Sequence, residues 1–474
     1  MFESRSAPDP AAAAVDAITA ATREENAAGA RRLTAIGELY ALRAPDDDVE
    51  KQYWVIDGFA GLVVEVAAAL GVSRCRARAQ VERAVTLRER LPKVAEIYAR
   101  GLVDAVLIGM IVSRTDLIVD DDAARRVDAE LAVKMVRWGR LSKPKMEQRI
   151  DAIIGRIDEL AVHGPRPPSQ ARYLDFRSAG PGAASVCGAL DAATAAVVDA
   201  RLDELARRVC ADDPRRHDQR RAAALRALAE GGRLQCECGL RQCPAAGEEP
   251  AAGSAVKSVI HVITGPVTLD GQAPGYLPGY GEIPAEQVDS LAVAATVREV
   301  LMPPDEAEPR YRPSAKLADF VRCRDLTCRF PDCDRPAEAC DIDHTVPHPS
   351  GPTHPSNLKC LCRFHHLLKT FHDWTDHQYP DGTVVWTSPT GHTYITKPEG
   401  AHWFPALGQP TGVPEVSDVP AGRPGRGRCM PTRKRTRVQE RRDRIYRERY
   451  LNDVRIVEEL FDQEMAADAD PAPF

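Results

Sequence analysis

At 474 residues the chain can hold two or three domains, each with its own core. Its 44% hydrophobic and 28% charged residues and mean hydropathy of −0.33 are those of a water-soluble protein. A net charge of −6 and a pI near 6.1 exclude a general polyanion binder, so any attraction to nucleic acid must come from local patches. The two most apolar windows are interrupted, one by Asp57 and Glu65 and the other by Asp104, which argues against a membrane span. The opening MFESRSAPDPAAAAVDA lacks the basic and apolar regions of a secretory leader. A reducing cytoplasm is therefore expected, with the clustered members of the thirteen cysteines binding metal rather than forming disulfides.

From about Ala11 to Asp158 the chain reads as successive helices, alanine-rich and punctuated at Pro45, Gly71, Pro92 and Gly101. Ser73 is a plausible N-cap for Arg74 to Leu91, and Leu102 to Val112 has the apolar character of a buried helix. Gly164-Pro-Arg-Pro-Pro168 marks a linker or turn. Tyr173 to Leu190 reads as a hairpin around Gly180-Pro-Gly182, followed by helices over Asp191 to Val209 and near Asp218 to Ala229. After a Gly/Ala/Glu/Pro-rich gap at Pro244 to Ser254, the β-branched run Val256 to Ile263 predicts a strand. Gly275 to Gly281 reads as loop, and Pro284 suits the first turn of a helix running to Leu301. Ser314 to Val321 is a short helix, and Thr383 to Thr387 with His392 to Thr396 signal a hairpin across Ser388-Pro-Thr-Gly391. A proline-rich spacer, Pro405 to Pro424, precedes the tail.

The stretch CRFPDCDRPAEACDIDHTVPHPSGPTHPSNLKCLCRFHH carries the chemistry. Cys328-x4-Cys333 and Cys362-x2-His365 lie about thirty residues apart, the form of one tetrahedral zinc site; Cys323, Cys340 and Cys360 are competing thiols. On a helix beginning near Leu361, adjacent residues point about 100° apart, so His365 completes the zinc and His366 faces elsewhere. Asp343 then offers oxygen and His366 nitrogen to a second ion, Mg²⁺ or Mn²⁺. His344, not itself a ligand, is free to act as general base. That set suits phosphodiester hydrolysis: the base takes a proton from water, and the ion neutralises charge on the scissile phosphate and the leaving 3′ oxygen. Asn357 holds the loop between the two strands, and Arg363 and Lys369 are candidate phosphate contacts. Seven of the twelve histidines fall between His344 and His377; His348 and His354 are second-rank metal candidates.

Two weaker signals remain. Cys236-x-Cys238-x4-Cys243 could be half of another zinc site completed by Cys210 or His217, or simply a loop with unpaired thiols. Arg423 to Arg449 holds twelve Lys/Arg against three Asp/Glu, a basic tail whose Arg433, Lys434, Arg435 and Arg437 are candidate nucleic-acid contacts. Tyr450, Val454, Val457 and Phe461 then recur at helical spacing, so the end of the tail either docks or stays solvated.

Asp343-His344, Asn357 and His366, inside the Cys-x4-Cys and Cys-x2-His frame, resemble the HNH endonucleases, with a ββα-metal core on a treble-clef zinc scaffold. More narrowly, CDIDHTVPHPSGPTHPSNLKCLCRFHHLLKTFHDW, with PGYLPGYGEIPAE and RPSAKLADFVRCRDLTCRFPDC, is similar to the mycobacterial thirteen-E-twelve repeat proteins, which couple a helical domain of uncharacterised function to such a nuclease. The resemblance runs from near residue 30 to about 400. It implies DNA cleavage, an association with mobile elements, and a catalytic set of Asp343, His344 and His366. The expected fold is a mainly α N-terminal region with a small α+β segment and a C-terminal ββα-metal, treble-clef-like HNH module. In residues, that is an extension at 1–29, a helical domain at 30–163, a mixed α/β continuation at 164–312, the nuclease module at 313–400, and the spacer and basic tail at 401–474. DNA is the expected partner, with a protein or homo-oligomeric partner through the helical domain. The alternative is a zinc-stabilised nucleic-acid-binding or mobile-element accessory protein that does not cleave.

Overall fold

Alanine-rich sequence and an early proline give the first helix its length: α1 runs from Pro10 to Arg43 in a computed structural model that describes residues 9–43, 48–139, 141–164, 172–245, 262–265, 274–293, 296–413 and 429–469. The sequence boundary at residue 30 falls inside this helix. Its first half is exposed, and burial begins at Gly29 and Ala30 and continues through Leu33 and Ile36. Chain contacts define two units, one formed by Met1–Gly164 with Val300–Phe474 and the other by Pro165–Glu299.

In the first unit the predicted helical series is present as α2 (Gly58–Leu70), α3 (Arg74–Glu89), α4 (Pro92–Ala99), α5 (Ala105–Arg114), α6 (Asp121–Met135) and α7 (Lys143–Ile157). Side chains of Asp57, Asp104 and Asp120 cap the N-termini of α2, α5 and α6, satisfying amides that a helix start leaves open. Gly71 closes α2 in a left-handed conformation (φ 60°) that favours glycine. Apart from the buried Glu65, helix α2 is apolar all round because it is covered on two sides. Leu62, Val63, Val66 and Ala67 join the helical core, whereas Val64 and Ala68, with Ile56, join the core of the C-terminal region. Among the described residues no single helix is long and apolar enough to cross a membrane.

The C-terminal region begins with α11 (Ala315–Asp325), capped by Ser314. The strands β5 (Cys340–His344) and β6 (Leu358–Cys362) pair antiparallel, with Asp343 opposite Lys359 and Cys340 opposite Cys362. Helix α12 (Arg363–Phe371) follows β6 without a gap. The expected hairpin is β8 (Val384–Thr387) with β9 (Thr393–Thr396), and a third strand, β7 (Thr375–Gln378), extends it. The sequence Thr-Asp-His-Gln hides that strand because it has no apolar residue. A buried triad fixes α11 to β6: Asp325 accepts from Arg324 (2.8 Å), Arg329 (3.2 Å) and the Cys360 amide (2.8 Å), and Arg324 donates to the Pro355 and Leu358 carbonyls.

The tail is helix α13 (Arg437–Ala469), and its first half docks on the helical core. Ile445 is buried there, Arg449 pairs with Asp158 (2.7 Å), and Asn452 donates to the Leu160 and Val162 carbonyls. Its later apolar residues Tyr450, Val457 and Phe461 are exposed. Arg433 and Arg437 both clamp Asp57, which is itself buried. Burial raises the Asp57 pKa, but the two guanidiniums and the Ala60 amide outweigh it and hold the carboxyl below its ordinary range. Because the folded-state pKa is lowered, the stabilisation is complete above the unfolded carboxylate pKa of about 3.9 and is lost as pH falls through the folded value. Asp57→Asn should cost about 3 kcal/mol at neutral pH, and thermal unfolding should show the gap to the parent chain closing at acid pH.

In the second unit, β1 (Tyr173–Gly180) and β2 (Ala183–Ala189) form the expected hairpin. Helices α8 (Ala192–Arg207), capped by Asp191, and α9 (His217–Ala229) follow. Gly275 to Gly281, expected as loop, is instead a short hairpin of β3 (Gly275–Leu277) and β4 (Gly281–Ile283). Gly279 (φ 83°) and Gly281 (φ 94°) make the reversal in the left-handed region that other residues resist. Helix α10 spans only Ala285–Ala292 rather than reaching Leu301. The following Val293 is 89% exposed, and Thr296 and Val297 beyond it are exposed too, so their weak helix propensity as β-branched residues is not offset there. Residues 256–261 of the predicted strand, 165–168 of the linker, 246–254 of the gap and 414–424 of the spacer lie outside the described residues; Ile263 bridges to Tyr276.

Candidate metal centre and carboxylate–histidine site

The β5–β6 hairpin and α12 place two sets of side chains on either side of one short helix. Cys362 ends β6 and His365 lies one turn into α12, while Cys328 and Cys333 come from the loop after α11. The ligand atoms of Cys328, Cys333, Cys362 and His365 all lie within 4.8 Å of one another. His365 Nδ1 stands 3.5 Å from Cys328 Sγ and 3.4 Å from Cys362 Sγ. Ligands on a tetrahedral zinc at about 2.0–2.3 Å are separated by about 3.5–3.8 Å, so this set fits such an ion. Phe330 stacks on the His365 ring at 4.1 Å, and the Cys362 amide donates to Cys328 Sγ (3.3 Å). The competing thiols have other surroundings. Cys360 is fully buried beneath α11, Cys340 donates to the Pro336 carbonyl (3.3 Å), and burial pushes the Cys323 thiol up to about 12.

His366 points away from that cluster. Its Nε2 lies 3.4 Å from Asp343 Oδ1, and its Nδ1 lies 2.9 Å from Asp341 Oδ2. With Nδ1–H donated to Asp341, Nε2 keeps its lone pair and faces Asp343. This is the orientation in which a metal-binding imidazole is held by a carboxylate behind it. Asp341 was missed in the sequence reading. Its signal was there, since residues two apart on a strand share a face, which puts Asp341 beside Asp343.

The other oxygen of Asp343 is taken by two lysines, Lys359 Nζ at 3.0 Å and Lys369 Nζ at 2.7 Å, both of which also pair with Asp376. Burial pushes the Asp343 pKa up, but the two ammonium groups outweigh it and hold the carboxyl well below the usual range. Lys369 was expected to meet phosphate. Instead it is turned inward and also donates to the His344 carbonyl (2.8 Å). Lys359 is fully buried, opposite Asp343 in the sheet register. Lys359→Met should therefore destabilise the protein by about 3–5 kcal/mol, the cost of stranding buried carboxylates. Denaturant unfolding checks this, and a loss under about 1 kcal/mol would mean water reaches the cluster.

His344 is 7% exposed, sandwiched against Tyr311 (centroids 5.3 Å, 12°). Thr353 Oγ1 donates its only proton to the Arg310 carbonyl (2.5 Å) and lies 2.9 Å from His344 Nε2. The hydroxyl must then accept from Nε2–H, which leaves Nδ1 as the basic nitrogen. Burial, and secondarily the nearby positive groups, lower the His344 pKa to about 4 against the pull of Asp343, so the ring is neutral at physiological pH. Asn357, read from sequence as holding the loop between the strands, is a positioning residue. Its amide donates to the Val346 and Pro352 carbonyls, and its Oδ1 accepts from the Val346 amide. Gly351 is needed beside it, because a Cβ there would sit 2.1 Å from the Val346 carbonyl.

The remaining sequence candidates are scattered. Arg363 is exposed and 3.5 Å from Asp341. Arg433 and Arg437, expected to meet nucleic acid, are instead spent on Asp57, and Arg435 pairs with Asp443 (2.7 Å) while Lys434 is exposed. His348 packs edge-on against the rings of His344 and Tyr311, and His354 is buried against Ser356.

Fold and site together define a mainly helical chain with small antiparallel sheets and a C-terminal Cys/His cluster able to hold a metal ion such as zinc. Residues 20–325 match the family described as Domain of unknown function (DUF222), and the chain belongs to that family. The match stops at Asp325, the last residue of α11, just before Cys328, the first residue of the C-terminal Cys/His cluster. Among its relatives, Uncharacterized protein Rv3776 of Mycobacterium tuberculosis (strain ATCC 25618 / H37Rv) is 44% identical over 469 residues, covering 92% of this chain and 89% of its own. Uncharacterized protein Rv2100 of the same strain is 43% identical over 513 residues, with 97% and 92% covered. A Mycobacterium tuberculosis protein described as Uncharacterized protein in est 3'region is 39% identical over 338 residues, covering 65% of this chain and 95% of its own. No solved structure matches.

Proposed function

We infer that the C-terminal region is a metal-dependent HNH endonuclease module that hydrolyses DNA phosphodiester bonds. The observation that carries this reading is the convergence of Asp343 Oδ1 and His366 Nε2 at 3.4 Å, beside a neutral His344 and apart from the Cys/His cluster. Two ligands at right angles on an octahedral ion with bonds of about 2.1 Å lie about 3 Å apart, so the pair fits Mg²⁺ or Mn²⁺. Bound there, such an ion would neutralise charge on the scissile phosphate and the leaving oxygen. The chain's own groups do the rest. His344 Nδ1 accepts the proton of the attacking water, with Thr353 holding the opposite nitrogen and Tyr311 the plane of the ring. Asp341 fixes the His366 tautomer, and Asn357 holds the connection between β5 and β6 so that Asp343 and His344 stay aligned.

The test is incubation of the purified full-length chain with supercoiled plasmid and Mg²⁺ or Mn²⁺. Nicked or linear product that disappears with chelator supports the reading. The second reading, a zinc-stabilised nucleic-acid-binding protein that does not cut, is favoured by one observation: Lys359 and Lys369 already compensate Asp343. Metal-independent DNA retention on a gel, with no product under any divalent ion, would establish it and sink the first.

A further inference from the structure

The second unit gathers four thiols that none of its helices or strands requires. Cys210 lies in the turn after α8, and Cys236, Cys238 and Cys243 lie on the segment after α9. Spacing alone left the fourth partner open between Cys210 and His217. The fold brings in Cys210, whose Sγ lies 3.5 Å from Cys236 Sγ, and all four sulfurs fall within 4.8 Å of one another. His217 turns away to Asp203 (3.2 Å). None of the four is in a disulfide. Four thiolates on a tetrahedral zinc at about 2.3 Å have sulfurs about 3.8 Å apart, which is the scale observed.

The backbone around the thiols is built to hold them. The Asp213 side chain is fully buried and accepts from the Arg215 guanidinium (2.8 Å) and from the Arg215 and Glu237 amides (3.0 Å each). Arg215 in turn donates to the Gln235 carbonyl (2.6 Å). These bonds pin the turn carrying Cys210 to the segment carrying Cys236 and Cys238. Gly239, at φ 69°, reverses the chain just after Cys238, and the Ala245 amide donates to Cys243 Sγ (3.3 Å). Little else closes this part of the chain. The cluster between α8 and α9 has Leu205, Ala224 and Ala227 as its buried members, and residues 233–245 form no helix or strand. A core of that size does not hold a fold without a cross-link.

We propose that Cys210, Cys236, Cys238 and Cys243 bind a second, structural zinc ion that ties the end of α8 to the segment after α9. The ion links two stretches whose shared apolar cluster is small, with Leu234 only partly buried against it, and its loss loosens the α8–α9 pair. The experiment is zinc analysis of the full-length chain purified under reducing conditions, with X-ray absorption at the zinc edge. Two zinc ions per chain are expected, with an average shell of seven sulfurs to one nitrogen. That ratio is the sum of one site with four thiolates and one with three thiolates and an imidazole. Cys236→Ser/Cys238→Ser should retain one ion with three sulfurs to one nitrogen, and Cys328→Ser/Cys333→Ser should retain the other with four sulfurs. One zinc in the parent chain with the three-to-one shell, or two in the Cys236→Ser/Cys238→Ser chain, overturns the proposal. Should that variant aggregate, thiol labelling of the parent chain decides. Protection of Cys236 and Cys238 until a chelator strips the zinc supports the site, and labelling at once without chelator overturns it. No DNA enters these measurements, so the outcome is independent of whether the chain cuts DNA.

Discussion

Replacing His344 by alanine should lower divalent-ion-dependent cleavage by about 10²–10⁴-fold, the usual contribution of a positioned general base, while DNA retention and zinc content stay at parent levels. The loss follows from geometry. His344 has one nitrogen committed to Thr353, one free to take a proton, and a pKa low enough that the ring is not already protonated. A ligand variant should behave differently. His366→Ala removes one of the two groups proposed to hold the ion, so its defect should shrink as Mn²⁺ is raised, whereas added ion cannot replace the base in His344→Ala. Single-turnover rates across an Mn²⁺ titration separate the two. If both variants recover in parallel, His344 acts on the metal and not on water; if neither variant loses rate, the product came from another nuclease.

How much of this site could be read from sequence depended on whether its residues were neighbours along the chain. Cys328-x4-Cys333 and Cys362-x2-His365 announce themselves because short spacing brings ligands to one ion almost whatever the fold. The separation of His365 from His366 likewise follows from helical geometry. The groups that tune the site were not legible. Lys359 lies opposite Asp343 only because β5 and β6 pair in that register, and Asp376 reaches the same cluster from β7, a strand with no apolar alternation to reveal it. Thr353 and Tyr311 meet His344 from loops. The basic tail shows the opposite failure. A run of arginines reads as a phosphate-binding surface, yet Arg433 and Arg437 are consumed by Asp57, a partner almost four hundred residues away that no local pattern discloses. The breaks at Gly71, Pro92 and Gly101 and the turn at Gly180 to Gly182 were readable; β3 and β4 were not, because three-residue strands around glycines carry loop-like sequence, and Ser73, expected as a cap, makes no side-chain cap bond.

Removing an ion bound at Cys328, Cys333, Cys362 and His365 should loosen the loop after α11 and leave the helical core standing. The physical asymmetry is between two adjacent cysteines of one strand. Cys362 belongs to the metal cluster, whereas Cys360, two residues earlier, is fully buried and faces α11. Structural zinc contributes an apparent 10–16 kcal/mol or so in small zinc domains. Here part of that is replaced by a real core of Phe320, Leu358, Leu368 and Trp386, so Cys362→Ser should expose the loop after α11 rather than unfold the chain. Limited proteolysis should cut between Leu326 and Pro355 in Cys362→Ser or after chelation, with far-UV helical signal largely kept because the core of α1 and α2 to α7 is a separate cluster. Cys360→Ala removes only a buried thiol. It should keep its zinc, resist protease at the same sites, and lose about 1–2 kcal/mol to the small cavity. Equal protease sensitivity in the two variants would place the stability of this region in its apolar packing and remove the metal from its structural role.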